Sequence, residues 1–181
     1  MKEILIKTVM TPLPNYVTLK ETDTIYDVFQ ILEQNKSEDR EAHRDVIVVD
    51  DNGKFKGKVT MLDIFRALEP NYKKVFKTFG DGTLTKDYVI NAIRDFNLWM
   101  EPIQNLCERG ANIKIADVMH VPADLEYIQE DDSLEKALHE YVMGVHQPLI
   151  VKNGDTVTGV LRFCDLYEVI RERMLACPAP E

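Results

Sequence analysis

One block of this chain occurs twice, and that repetition limits the folds open to it more than any other feature. The first copy opens Thr8-Val9-Met10-Thr11-Pro12 and the second Asp117-Val118-Met119-His120-Val121. A short apolar stretch follows in each, Tyr16-Val17-Thr18-Leu19 and then Tyr127-Ile128, trailed by an acidic patch of Glu21 and Asp23 or of Asp131 and Asp132. Next come Ile25, Val28, Phe29 and Leu32 in the first copy and Leu134, Ala137, Leu138 and Tyr141 in the second. That i, i+3, i+4, i+7 spacing predicts a helix with one apolar face.

A strand is predicted after each helix, over 45–49 and 147–151, closed by the turn signals Asp51-Asn52-Gly53 and Asn153-Gly154-Asp155. The returning strands lead through Gly57 to Asp63 and through Gly159 to Asp165 into further helices ending near Leu68 and Met174. The copies are offset by 109 at Met10 and Met119 but by 102 at Asp63 and Asp165, so the first carries 109 − 102 = 7 extra residues. The polar stretch 36–42 is the expected place for them, as a surface loop.

Each copy reads β-α-β-β-α over roughly 60 residues, a size at which a lone core is marginal. The expected fold is α+β: two such repeats packed pseudo-symmetrically sheet to sheet, with a helical insert between them. The corresponding division is 1–68, 69–115, 116–175 and a tail of 176–181. Within the insert, Gly80-Asp81-Gly82 reads as a turn and 84–109 as a helix with Ile93, Phe96, Trp99, Ile103 and Leu106 on one side. Pro102 is expected to interrupt it, and Trp99 to pack the insert onto the core or a partner chain.

The 181 residues are 45% hydrophobic with no membrane-length apolar run, and Glu3 and the short apolar opening do not suit a secretory signal. A cytoplasmic protein without a membrane partner is expected. A net charge of −9 argues against a nucleic acid partner. Cys107, Cys164 and Cys177 suit neither a disulfide framework nor a metal site and read as reduced thiols. His43, His139 and His146 lack ligand spacing, so no metal is expected.

The tandem arrangement, the openings Val9-Met10 and Val118-Met119, and the Gly-apolar-apolar-Thr-x-x-Asp pattern at Gly57 to Asp63 resemble paired cystathionine-β-synthase (CBS) domains, the Bateman module. The resemblance implies two clefts between the repeats that take an adenosyl ligand: AMP, ADP, ATP or S-adenosylmethionine. It implies that Asp63 and Asp165 accept from ribose hydroxyls and that Thr60 contacts ribose or phosphate. Adenine is placed near Val17, Val46 and Ile47 in one cleft and near Ile128, Pro148 and Leu149 in the other. A homodimer meeting through the helices after Asp63 and Asp165 is also implied, with Ile64, Phe65, Leu68, Leu166, Val169 and Ile170 as apolar faces. The regulatory ligand is no required cofactor, and signalling runs in trans to an effector protein.

Two positions depart from that pattern. Lys58 stands where an apolar residue is usual, and a regular strand would align Lys54, Lys56, Lys58 and Thr60 as a positive patch for phosphate. Arg162 stands where Thr or Ser is usual, and it either forks onto a phosphate or plugs the second cleft by pairing with Asp165. Thr60-x-x-Asp63 equally fits a capping box that needs no ligand. No nucleophile elbow, phosphate loop or metal-hydrolase pattern is present in the sequence, so catalysis is not expected. The competing expectation is a docking module with empty or plugged clefts that acts through the 69–115 insert.

Overall fold

The computed structural model describes residues 3–38, 44–79, 85–99 and 105–176. In chain order the elements are β1 (Thr11–Pro12), β2 (Thr18–Lys20), α1 (Ile25–Glu38), β3 (Asp45–Val49), β4 (Phe55–Thr60), α2 (Met61–Leu68), α3 (Tyr72–Phe79), α4 (Lys86–Asp95) and α5 (Leu106–Asn112). The second half adds β5 (Tyr127–Gln129), α6 (Leu134–Val142), β6 (Leu149–Asn153), β7 (Thr156–Leu161) and α7 (Phe163–Ala176). Both repeats thus have the predicted mixed order, and α+β is the class observed.

The chain divides into two compact units that do not follow the repeat boundaries. Val17–His120 forms the first-repeat unit, while Met1–Tyr16 joins Val121–Glu181 in the second-repeat unit. The opening segment of each repeat is therefore exchanged. Thr11 pairs antiparallel with Val160 of β7, and His120 bridges to Lys58 of β4 at the equivalent place. Ile6 donates its N–H to Asp132 and Leu134 to Ile4; Ile115 donates to Asp23 and Ile25 to Ile113.

The glycines of the repeat make this exchange possible. A Cβ at Gly57 would lie 2.8 Å from the His120 carbonyl oxygen, and one at Gly159 would lie 2.7 Å from that of Thr11. Only a residue without a side chain lets the exchanged backbone approach so closely.

In the first-repeat unit the sheet order is β2-β3-β4, with β2 parallel and β4 antiparallel to β3. Val46, Val48 and Val59 pack with Val17, Ile25, Val28, Ile64, Leu68 and Ile115 into one core. In the second-repeat unit the order is β1-β7-β6-β5, and Ile6, Ile128, Leu134, Ala137, Leu149, Val151, Leu161 and Leu166 form the core. Each valine, leucine or isoleucine among these contributes about 1.5–3 kcal/mol by leaving water. Tyr141 of α6 extends this core and adds a polar tie: its hydroxyl donates to the Leu161 carbonyl and accepts from the Leu149 N–H at 3.0 Å.

Several expectations need correction. Leu149 stands opposite Leu161 as Val46 stands opposite Val59, so β3 and β6 are offset by 103, not 102. Six of the seven extra residues accordingly precede β3 and one lies in the hairpin. The stretch 36–42 is not all loop, because α1 runs to Glu38 and has 14 residues against 9 in α6; residues 39–42, and with them His43, lie outside the described residues.

No single helix spans 84–109. α4 stops at Asp95 because Asn97 and Trp99 take left-handed conformations, φ 50° and 56°, which a helix cannot continue through. The 80–82 turn, Pro102 and Ile103 lie outside the described residues. Trp99 does not enter the main core; it is 40% exposed, beside a small cluster of Val75, Ala92 and Leu98. The dimer faces also change, since Ile64, Leu68 and Leu166 are core residues, with Val169 and Ile170 packed against the core. Phe65 remains exposed.

Candidate functional site

The two strand-to-helix junctions lie one in each unit. In the first-repeat unit Thr60 ends β4 in extended conformation and becomes the N-cap of α2. Its N–H and its hydroxyl both donate to Asp63 Oδ2, at 2.9 and 2.6 Å, and Asp63 N–H donates back to the hydroxyl at 3.4 Å. This is the capping box: a hydroxyl satisfies one helix N–H, and the third residue's carboxylate satisfies the N–H of the cap. Asp63 is thereby fixed at the start of α2, where the helix dipole favours its charge, and is only 9% exposed.

Lys58 lies two residues before Thr60 and is fully buried. Its backbone exchanges both hydrogen bonds with His120. The expected positive patch does not form, because the strand is irregular: Val48 pairs with Gly57 and Val49 with Phe55, which leaves Lys56 as a bulge. Lys54 and Lys56 are exposed while Lys58 is inside.

At the second-repeat junction Arg162 replaces the capping hydroxyl. Its N–H donates to Asp165 Oδ2 at 3.2 Å, Nε donates to the same oxygen at 2.9 Å, and Nη2 donates to Oδ1. The two side chains are each 12% exposed, so this fork is largely withdrawn from water. Burial alone pulls the guanidinium's pKa down. The hydrogen bonds and charge of Asp165 outweigh that and hold it above its ordinary value, with smaller contributions from Cys164 and Tyr16. Tyr16 arrives on the exchanged N-terminal segment, so no reading of the second repeat alone could have found it.

The apolar residues expected around adenine fall into two sets. Val17, Val46, Ile128 and Leu149 turn their side chains into the helical cores, which leaves only backbone to offer a ligand. The Val17 carbonyl already accepts from Ile47 N–H at 2.9 Å. Ile47, paired with Lys58, lies on the opposite face of the sheet from Val46 and Val48. By strand register its counterpart is Ile150, paired with Val160 as Ile47 pairs with Lys58. The one-residue slip in the hairpin hid Ile150 from the sequence comparison: it set Leu149 against Ile47, and Pro148, which is buried just before β6, against Val46.

Cys107 and Cys164 are exposed thiols without a disulfide, and Cys177 lies outside the described residues. α6 ends at Val142 and Gly144 adopts φ 90°, so His139 and His146 share no helix face. No helix among the described residues is long and apolar enough to cross a membrane.

A family model described as "CBS domain" matches residues 6–70. Among solved structures, the CBS domain of a CBS domain containing membrane protein from Sphaerobacter thermophilus is similar, with TM-score 0.57 and 21% identity over 92% of this chain and 87% of that one. CBSX2 in complex with AMP gives TM-score 0.59 and 18% identity, covering 93% and 97%. The CBS-pair protein CBSX2 from Arabidopsis thaliana gives 0.59 and 16%, covering 97% and 100%. At these identities the likeness is one of fold. No curated protein sequence matches the chain.

Proposed function

Starting from the premise that the chain is a tandem CBS-domain protein, we propose that it is a regulatory module binding an adenine nucleotide or related adenosyl ligand at the Thr60–Asp63 junction, not at Arg162–Asp165. The supporting observation is the difference between the two carboxylates. Asp63 Oδ2 accepts from a neutral hydroxyl, which a ribose hydroxyl exchanges like for like. Asp165 is forked by a cation through both oxygens, and charge-assisted bonds of that kind are about twice as strong as neutral ones. Arg162 acts as a plug in this reading. Thr60 contacts ribose or phosphate, Ile47 borders the adenine, and Lys58, its partner in register on β4, faces the phosphate side. That one similar structure holds AMP makes AMP the first ligand to test.

The output is a ligand-driven population shift that alters contact with an effector protein. The module is non-catalytic and cytoplasmic in this reading, and it is a homodimer, with α7 presenting exposed Phe163, Tyr167 and Met174. A second reading rests on α4, where Val89, Ile90 and Ile93 are 43–50% exposed: a docking module acting through 69–115.

Calorimetric titration with AMP, ADP, ATP and S-adenosylmethionine separates the two. We expect one site per chain, lost in Asp63→Asn, and two sites in Arg162→Thr. Absence of binding by the whole panel overturns the sensor reading in favour of docking, and a single site that survives Asp63→Asn overturns the choice of junction.

A further inference from the structure

Glu126 is a carboxylate inside the second-repeat unit, 5% exposed, at the end of a short helical turn over Asp124–Glu126. Burying such a charge is costly unless a partner compensates it. One oxygen, Oε1, accepts from the Ala123 N–H at 3.1 Å. The other, Oε2, faces His146 Nδ1 at 3.8 Å, beyond hydrogen-bond range. That nitrogen is itself withdrawn from water.

The loop after α6 brings His146 there. Gly144 takes φ 90°, which the helix cannot continue through, and the Val145 N–H returns to the Glu140 carbonyl at 3.2 Å. His120 completes the group: it lies six residues before Glu126 on the same stretch of chain and joins the unit directly through Val121. The ligand atoms of His120, Glu126 and His146 all lie within 4.8 Å of one another. Spacing along the sequence conceals this set, because β5 and α6 separate Glu126 from His146.

Two imidazoles and one carboxylate so placed are the donors of a transition-metal site. Zinc holds these groups at about 2.0–2.2 Å, which sets tetrahedral ligands roughly 3.4 Å apart. The His146–Glu126 separation is already close to that, and small side-chain rotations close the rest. Contact within the set does not compete with a metal, since ligation replaces the proton that an imidazole and a carboxylate would share. A divalent ion also compensates the buried charge of Glu126. Magnesium and calcium prefer all-oxygen surroundings, so the imidazoles select a softer ion. We propose that His120, Glu126 and His146 bind one zinc-class divalent ion per chain, with a fourth position left to water or to a ligand from solution. The site requires no nucleotide.

The chain has four histidines, so imidazole C–H resonances report on the site residue by residue. Titrating the chelator-treated full chain with zinc chloride should shift the signals of His120 and His146 saturably and leave those of His43 and His139 in place; magnesium chloride should move none of them. Calorimetry should give one zinc site per chain. His120→Gln and His146→Gln should each weaken it by about 100-fold or more, at least what the loss of a supporting partner costs a metal site. His139→Gln and the triple variant Cys107→Ser, Cys164→Ser, Cys177→Ser should leave it unchanged. The absence of a saturable shift, shifts confined to His43 or His139, an equal response to magnesium, or zinc binding that only the cysteine variant abolishes overturns the proposal. The resonance titration uses the unaltered chain, so it decides the matter even if a variant fails to fold.

Discussion

The junctions Thr60–Asp63 and Arg162–Asp165 occupy the same place in two copies of one repeat and use their aspartates differently. In the first, a neutral hydroxyl and a carboxylate complete a helix cap and leave a neutral contact that a ligand hydroxyl can replace. In the second, the guanidinium takes the cap's place and neutralises the carboxylate through both oxygens. The framework around them is conserved down to the exchanged strand and its glycine. What distinguishes the repeats is therefore chemistry placed on a common backbone, and each copy serves as the control for the other.

The largest expected effect lies in that shared backbone. Gly159→Ala places a Cβ 2.7 Å from the Thr11 oxygen and 2.9 Å from Met10 Sδ, and Gly57→Ala places one 2.8 Å from the His120 oxygen and 3.3 Å from Met119 Sδ. The first site is tighter against both neighbours. We expect losses of about 3 kcal/mol for Gly159→Ala and about 2 for Gly57→Ala, typical of overpacking against groups that cannot move. Urea denaturation measures both; a smaller loss at Gly159 would mean that the N-terminal segment docks less firmly than its counterpart.

Removing the plug should come next. Arg162→Ala strips Asp165, 12% exposed in the intact pair, of both guanidinium contacts, keeping only the backbone N–H among its bonds from residue 162, and should cost about 2 kcal/mol. Arg162→Thr restores the hydroxyl of the first repeat and should recover about half of that. Thr60→Ala, which loses a cap without stranding a charge, should cost about 1 kcal/mol. If Arg162→Ala proves no worse than Thr60→Ala, the fork is not what holds the second junction closed.

Much of this architecture was legible in the sequence because hydrophobic period and turn residues report directly on local structure: β3 over Asp45–Val49 and α2 ending at Leu68 both follow from them. The pairing of Arg162 with Asp165 was one of two open alternatives, since a side chain three residues from a carboxylate at a helix start can reach it. The strand exchange was not legible, because a repeat read along the chain gives no sign of which copy its first strand joins. Bulges were hidden for a related reason. Alternation assumes one residue per step, so the extra Lys56 placed buried Lys58 on a surface patch and the shorter second hairpin concealed Ile150. Trp99 was read as a packing residue because apolar spacing carries no record of a backbone held left-handed by a distant Glu69.

The smallest expected difference is at the first helix of each repeat, where Thr24 and Asp27 correspond to Ser133 and Lys136. The Asp27 carboxylate accepts from the Thr24 hydroxyl at 2.7 Å and from its N–H at 2.8 Å, and these bonds hold its pKa below the usual value. In the second repeat the acid is Asp132. Burial works to raise it, but the 2.7 Å bond and charge of Lys136, with the Gln129 N–H, outweigh that and hold it low as well. A carboxyl depressed in the folded state stabilises fully above its unfolded pKa and loses that contribution as pH falls through the folded one, so both helix starts weaken below about pH 4. Salt separates them. The Lys136–Asp132 pair is 50% and 25% exposed and is screened by added salt, whereas Asp27 depends chiefly on an uncharged donor. Carboxyl titration by NMR should show Asp132 moving up toward its ordinary value at about 0.5 M salt, where the screening length is shortened, while Asp27 stays low. Equal movement of the two would mean that the first cap is held by long-range charge, and that the two helix starts are alike in mechanism after all.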